Sequence, residues 1–287
     1  MKVLVTGASG NVGQYVVREL IAMKQEVVAG GTDVKRLEDT FLDLRSQGSL
    51  LETVKIDFTD PTTFQAALKG IDCVFLMRPP HLGKPEDLYP FINSMKEQQI
   101  QLVSFLSLMG VEKNTIPPHH KIEKFIEKVG LPYAHVRPGF FMQNLTGIHR
   151  AEIEERNEIF IPAGKSKTSF IDAADIGLAV AILLASPEKY KNTAHTITGS
   201  EALDYYQIAE MLSEVRGERV RYTKPGFLRY RKEYMNKRGL TKKYVNVTIA
   251  LYLMTRLGTA KAVTNEFYEI TGREARKFID FAREHFS

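Results

Sequence analysis

The stretch Lys2-Val3-Leu4-Val5-Thr6-Gly7-Ala8-Ser9-Gly10-Asn11-Val12-Gly13 decides the fold. It reads as a short buried strand, a glycine-rich turn, and a helix whose apolar positions Val12, Val16, Leu20 and Ile21 recur at helical spacing. Such a strand–turn–helix opens a dinucleotide-binding βαβ unit. Gly7 supplies the tight turn, Gly10 lets the backbone approach a pyrophosphate, and Gly13 allows the helix to pack closely on the sheet. The helix N-terminus then offers free N–H groups and the positive end of its dipole to phosphate. Gly7, Ser9, Gly10, Asn11, Val12 and Gly13 are therefore the first candidate cofactor contacts. The spacing is Gly-x-x-Gly-x-x-Gly rather than the Gly-x-Gly-x-x-Gly of most dehydrogenases. Preceded by Val-Thr, it resembles the extended and atypical short-chain dehydrogenases/reductases.

Strand and helix patterns alternate outward from this stretch, as a doubly wound parallel sheet requires. Val27–Gly30, Val54–Asp57, Asp72–Met77, Leu102–Ser107 and Tyr133–Arg137 read as strands. The helical patterns between them carry Leu37, Phe41 and Leu44, then Leu88, Phe91, Ile92 and Met95, with Pro90 expected to break or kink the latter. A third carries Ile122, Phe125, Ile126 and Val129. The second half is less regular. Strand candidates occur at Ile159–Pro162, Ser169–Ile171 and His195–Thr198, helices at Ala173–Ala185 and Asp204–Arg216, and the remainder reads as mainly helical. The expected class is α/β: a Rossmann-like doubly wound parallel sheet over residues 1–150, to which some later segments return. A smaller, mixed, mainly helical lobe follows over 151–287.

Composition narrows the function classes. With 44% hydrophobic and 25% charged residues the chain reads as a water-soluble globular protein, and no apolar run approaches the roughly 18–20 residues that span a bilayer. The first strand begins at once, without a leader pattern, so a cytoplasmic location is expected. The single cysteine, Cys73, lies in an apolar strand and excludes both an intrachain disulfide and a multi-cysteine metal site.

The cofactor can be read from the end of the second strand. NAD sites usually carry an acid there for the ribose 2′-OH, but Ala29-Gly30-Gly31-Thr32 has none, and Lys35 and Arg36 follow. Cations near Thr32 favour the 2′-phosphate of NADP, with NAD as the alternative; the plainer reading is that they open a solvated helix. Asp57 and Phe58, at the end of the third strand, are the candidate adenine contacts.

The Tyr-x-x-x-Lys of short-chain dehydrogenases does not occur at the expected place, where the helix begins Pro117-Pro118-His119-His120-Lys121-Ile122-Glu123-Lys124. Together with the opening stretch and Arg137-Pro138-Gly139-Phe140-Phe141-Met142-Gln143-Asn144, this region resembles the NmrA-like atypical short-chain dehydrogenases, including NADPH-dependent quinone oxidoreductases of that type. The likeness extends to Ser169–Ile176. The resemblance implies His119 and Glu123 in place of the tyrosine motif, and Ser107, Arg78, Pro79, Pro138 and Phe140 around the nicotinamide. It also implies direct hydride transfer to a small-molecule electron acceptor such as a quinone. His119, with a pKa near neutral, would then donate a proton or a hydrogen bond. Two other readings stand beside this one: a non-catalytic NAD(P)-binding redox sensor, and a nucleotide-sugar epimerase, which the missing Tyr-x-x-x-Lys disfavours.

From Arg216 to Lys243 eleven Lys or Arg face only Glu218 and Glu233, a local charge of +9 that leaves −4 on the rest of the chain. Tyr222, Tyr230, Tyr234 and Tyr244 are interleaved. Nucleic acid is one partner for such a surface. A solvated helical face whose tyrosines cover the substrate pocket is the favoured reading, with a protein partner or a second copy of the chain as open alternatives.

Overall fold

Val3, Leu4 and Val5 are completely buried, as residues of a central strand covered on both faces should be. The computed structural model describes all residues, Met1–Ser287. Its strands, in chain order, are β1 Lys2–Thr6, β2 Glu26–Gly31, β3 Leu51–Lys55, β4 Cys73–Met77, β5 Leu102–Leu106 and β6 Tyr133–Pro138. These are followed by β7 Phe140–Phe141, β8 Glu158–Ile159, β9 Thr168–Ile171, β10 Thr193–Ile197, β11 Ala202–Leu203 and β12 Arg221–Tyr222.

Two compact units form. The first comprises Met1–Pro138, Ala173–Ile197 and Glu266–Arg273; the second comprises Gly139–Asp172, Thr198–Asn265 and Glu274–Ser287. The chain thus passes between the units several times, with segments from late in the chain belonging to the first unit. In the first unit seven strands pair in the order β10-β6-β5-β4-β1-β2-β3, and every pair is parallel. The Rossmann-like sheet is therefore as expected, and β10 adds a seventh strand beside β6, Ile197 opposite Pro138. Helix Ala173–Ala185 is buried along most of its length and packs on helix Gly13–Ala22. Close approach there depends on Gly177, where a Cβ would lie 2.4 Å from Cβ of Tyr15.

Local chemistry sets several boundaries. Asp204 caps helix Tyr205–Arg216 by accepting the N–H groups of Tyr206 and Gln207, and left-handed Gly217 ends it. Pro90 does not kink a helix: it lies in the first turn of Tyr89–Glu97, where its missing N–H had no intrahelical partner to lose. The helix expected through Leu37, Phe41 and Leu44 divides into Val34–Thr40 and Leu42–Ser46, with Phe41 buried at the junction. β3 ends two residues before Asp57, because its register with β2 runs from Val27–Leu51 to Gly31–Lys55.

The second unit holds a three-stranded sheet, β11-β9-β7, and a two-stranded one, β12-β8. Its core takes in Tyr205, Tyr222, Tyr230, Tyr234 and Tyr252. Tyr230 and Tyr234 are completely buried from one face of helix Phe227–Asn236, while Arg229 and Lys232 of that helix are exposed. The interleaved tyrosines are thus mostly core residues rather than a pocket cover; Tyr244 alone of the four is exposed. No helix is long and apolar enough to cross a membrane.

Gly177→Ala is expected to lower stability by about 1–3 kcal/mol, because the new methyl enters a filled helix contact. A urea unfolding curve checks this, and an unchanged midpoint would contradict the close approach.

Candidate functional site

Because all seven strands of the first unit run the same way, the residues that follow them gather at one edge of the sheet. The strand order reverses beside β1, and such a switch point is where open α/β sheets bind ligands. The turn after β1 is held from below. Thr6 Oγ1 donates to the Phe75 carbonyl at 2.9 Å and accepts from the Met77 N–H at 3.1 Å. Gly7 is left-handed (φ 60°), and a Cβ there would lie 2.8 Å from the Met77 side chain. The Ala8 N–H reaches the Gly30 carbonyl, and that of Gly10 reaches Gly7, at 3.1 and 2.9 Å.

Helix Gly13–Ala22 starts over this turn without a side-chain cap. A Cβ at Gly13 would lie 2.3 Å from the Gly7 carbonyl oxygen, so only glycine permits the helix to begin there. The N–H groups of Ser9, Asn11, Val12 and Gly13 find no acceptor within the protein. Clustered free amides at a helix start suit an anion.

At the neighbouring strand ends Thr32 is exposed, and Asp33 is spent capping helix Val34–Thr40 through the Arg36 N–H. Lys35 and Arg36 are exposed and have no carboxylate partner. Asp57 accepts both the hydroxyl and the N–H of Thr59, at 2.7 and 2.9 Å, and these bonds hold its carboxyl below the usual range. Phe58 is buried edge-on against Phe91, 5.2 Å between ring centres. Its ring is part of the core, which leaves its backbone as the part available to a ligand. Arg78 folds back, donating to the Leu82 and Pro79 carbonyls, while its buried Nε has no partner.

Ser107 is buried just past β5; its N–H donates to the Val136 carbonyl at 2.7 Å, and its Oγ is left unpartnered. His119, in the first turn of helix Pro118–Lys128, likewise has a buried Nδ1 with no partner. Burial, reinforced by the positive charge of Arg78, pushes His119 down to about 3. The near-neutral pKa expected for it is therefore corrected: at neutral pH it is an uncharged imidazole.

Glu123 lies one turn further along the same helix. It is buried, and Arg137 of β6 grips both its oxygens, Nε to Oε1 at 3.0 Å and Nη2 to Oε2 at 2.7 Å. That bidentate pair pins helix Pro118–Lys128 to the sheet. Arg137 was legible as a residue but not as this partner, since a strand–helix pairing fourteen residues apart leaves no periodic signal. Glu127 and His135 lie within 4.8 Å of Glu123, but Arg137 and Lys124 already supply positive charge to the two carboxylates. Pro138 ends β6, buried. Phe140 belongs to the second unit, in β7 beside Phe170 of β9.

Comparison with known proteins adds family and fold. A model of the NmrA-like family matches residues 1–232. The prestalk A differentiation protein A of Dictyostelium discoideum is 31% identical, covering 100% of this chain and 93% of its own. An NAD(P)H azoreductase of Xenophilus azovorans is 29% identical over 99% of this chain and 97% of its own. Among solved structures, an NADPH-dependent quinone oxidoreductase of Escherichia coli in complex with NADPH superposes with a TM-score of 0.87 at 18% identity. The match covers 99% of this chain and 100% of that one, which shows a common fold.

His135 and His149 are buried and His119 is half-buried, and all three are pushed down to about 3. The unfolded chain protonates histidine near pH ~6.5, so it binds more protons than the folded one between that pH and about 3. Stability is expected to be full above pH ~6.5 and to fall by several kcal/mol as the pH drops toward ~4. Urea midpoints across that range test it, and a flat profile would contradict the buried neutral state.

Proposed function

The chain belongs to the NmrA-like family, and from that premise we propose that it is an NADP(H)-dependent oxidoreductase. Its substrate would be a quinone or similar small conjugated carbonyl, reduced by direct hydride transfer. One observation carries the reading: four unpartnered amides cluster at a helix start where Gly10 and Gly13 present no side chain. That cradle fits a dinucleotide pyrophosphate. The quinone oxidoreductase and azoreductase among the similar proteins support the class of acceptor.

NADPH, when bound, supplies the hydride. The chain's part is to hold and orient. Ser9, Asn11, Val12 and Gly13 give N–H donors to the pyrophosphate, and Thr32 and Lys35 stand where a ribose 2′-phosphate would be read. Asp57 and the Phe58 backbone would border the adenine. Arg78, Pro79 and Pro138 are proposed around the nicotinamide. Ser107 Oγ and His119 Nδ1 are buried polar atoms that lack partners, and such atoms cost free energy until a ligand satisfies them. They are proposed to hydrogen-bond the nicotinamide amide or the acceptor oxygen. His119 does so uncharged, so the product oxygen takes its proton from water rather than from an imidazolium. An electron-poor acceptor tolerates this, because hydride addition gives a stabilised anion. Glu123 acts through Arg137 as a positioning residue.

The same shortage of a proton donor favours a second reading, an NADP(H)-binding sensor without turnover. The two separate in one cuvette, where NADPH and NADH are compared as the reduced-nicotinamide absorbance is followed with a quinone panel. Quinone-dependent oxidation, faster with NADPH, is expected; binding with no oxidation by any acceptor would replace the reductase with the sensor. Turnover should be flat between about pH 5 and 8 because His119 stays neutral. Ser107→Ala should lower kcat/KM by roughly tenfold or more with the fold intact.

A further inference from the structure

We propose that the second unit carries a separate oxyanion site that takes a phosphate monoester, in a pocket of about 520 Å³ walled by Lys165, Lys224 and Arg256. Gly164, Ser166 and Gly226 complete its polar lining, and no carboxylate borders it. None of the three cations is ion-paired. Lys224 belongs to the basic segment between Arg216 and Lys243, most of whose cations have no carboxylate partner. There Arg216 is neutralised by Glu218 at 2.6 Å, Lys237 by Glu233 at 3.0 Å and Arg238 by Glu152 at 3.0 Å. Three like charges around one cavity repel each other and create a positive potential that an anion relieves.

The walls are also set in advance. The Arg256 guanidinium lies over the Phe227 ring, 4.3 Å from its centre, within cation–π range. Gly164 backs it so closely that a Cβ there would sit 3.3 Å from Arg256 Nε. Lys224 holds a left-handed backbone (φ 44°), a strained state for a side chain of its kind that recurs at ligand clamps. Gly226 is the N-cap of helix Phe227–Asn236 and offers its first-turn amides no side-chain acceptor. The volume suits a phosphorylated small molecule rather than a bare ion, and a dianionic phosphate with directional acceptors matches one guanidinium and two ammonium groups.

The test is titration of ¹⁵N-glycine-labelled protein with phenyl phosphate and with inorganic phosphate at constant ionic strength, with chloride as the control. Saturable shifts of the Gly164 and Gly226 amides are expected, tighter for phenyl phosphate. Lys224→Gln and Arg256→Gln, both at exposed positions, should each weaken binding about tenfold or more, while Arg256→Lys, which keeps the charge but loses the planar fork, should recover only part of it. Shifts confined to Gly7, Gly10 and Gly13 would overturn the proposal. So would shifts that chloride reproduces, or an affinity unchanged in the Gln variants.

Discussion

The approach of helix Gly13–Ala22 to the turn after β1 is the constraint on which the first unit depends. With a hydrogen at Gly13 the helix begins directly over the Gly7 carbonyl; with a methyl group the two would overlap at 2.3 Å. The same closeness leaves the amides of Ser9, Asn11, Val12 and Gly13 without internal partners. A packing requirement and a ligand cradle are thus one arrangement of backbone. The other side of the helix repeats the device, since Gly177 lets helix Ala173–Ala185 lie against Tyr15. A segment from late in the chain thereby completes the cover of the sheet.

Polar groups around the sheet's carboxyl edge divide into committed and uncommitted. Glu123 and Arg137 satisfy each other, Asp57 is saturated by Thr59, and Asp33 caps a helix. Removing one partner of the buried Glu123–Arg137 pair would leave an uncompensated charge, which is reason enough for the pair to be structural. Ser107 Oγ, His119 Nδ1 and Arg78 Nε are buried and uncommitted. In a folded protein such atoms are rare, and their occurrence on loops and a helix start after parallel strands is what separates a site from a rim.

Much of this was legible in the sequence where the cause is local. The glycine turn, the alternation of the first six strands, Asp204 and Gly217 at the ends of one helix, and Ala173–Ala185 all follow from spacing and capping. Residues whose roles depend on distant partners were not. β10 pairs with β6 across some sixty residues, and β7, β11 and β12 are two residues long, too short for any period to register. The tyrosines of the basic segment read as the cover of a substrate pocket beneath a solvated, charged face. Tyr230 and Tyr234 are one helical turn apart and share a buried face, but that became plain only with Phe160 stacked beside them. His119 was legible as a candidate, yet its ionisation is set by the desolvation and the Arg78 charge that folding brings to it.

The central claim is that bare backbone at Gly10 makes room for a pyrophosphate. A Cβ there would meet only the Gly7 carbonyl, at 3.1 Å, so Gly10→Ala should fold while its methyl blocks the cradle. Calorimetric titration of NADP⁺ into wild type and Gly10→Ala tests this most directly. The account predicts clear binding by wild type and a loss of roughly a hundredfold in the variant, about 2.7 kcal/mol, with unfolding little changed. Equal affinity in the two proteins, or no binding by wild type, would contradict it.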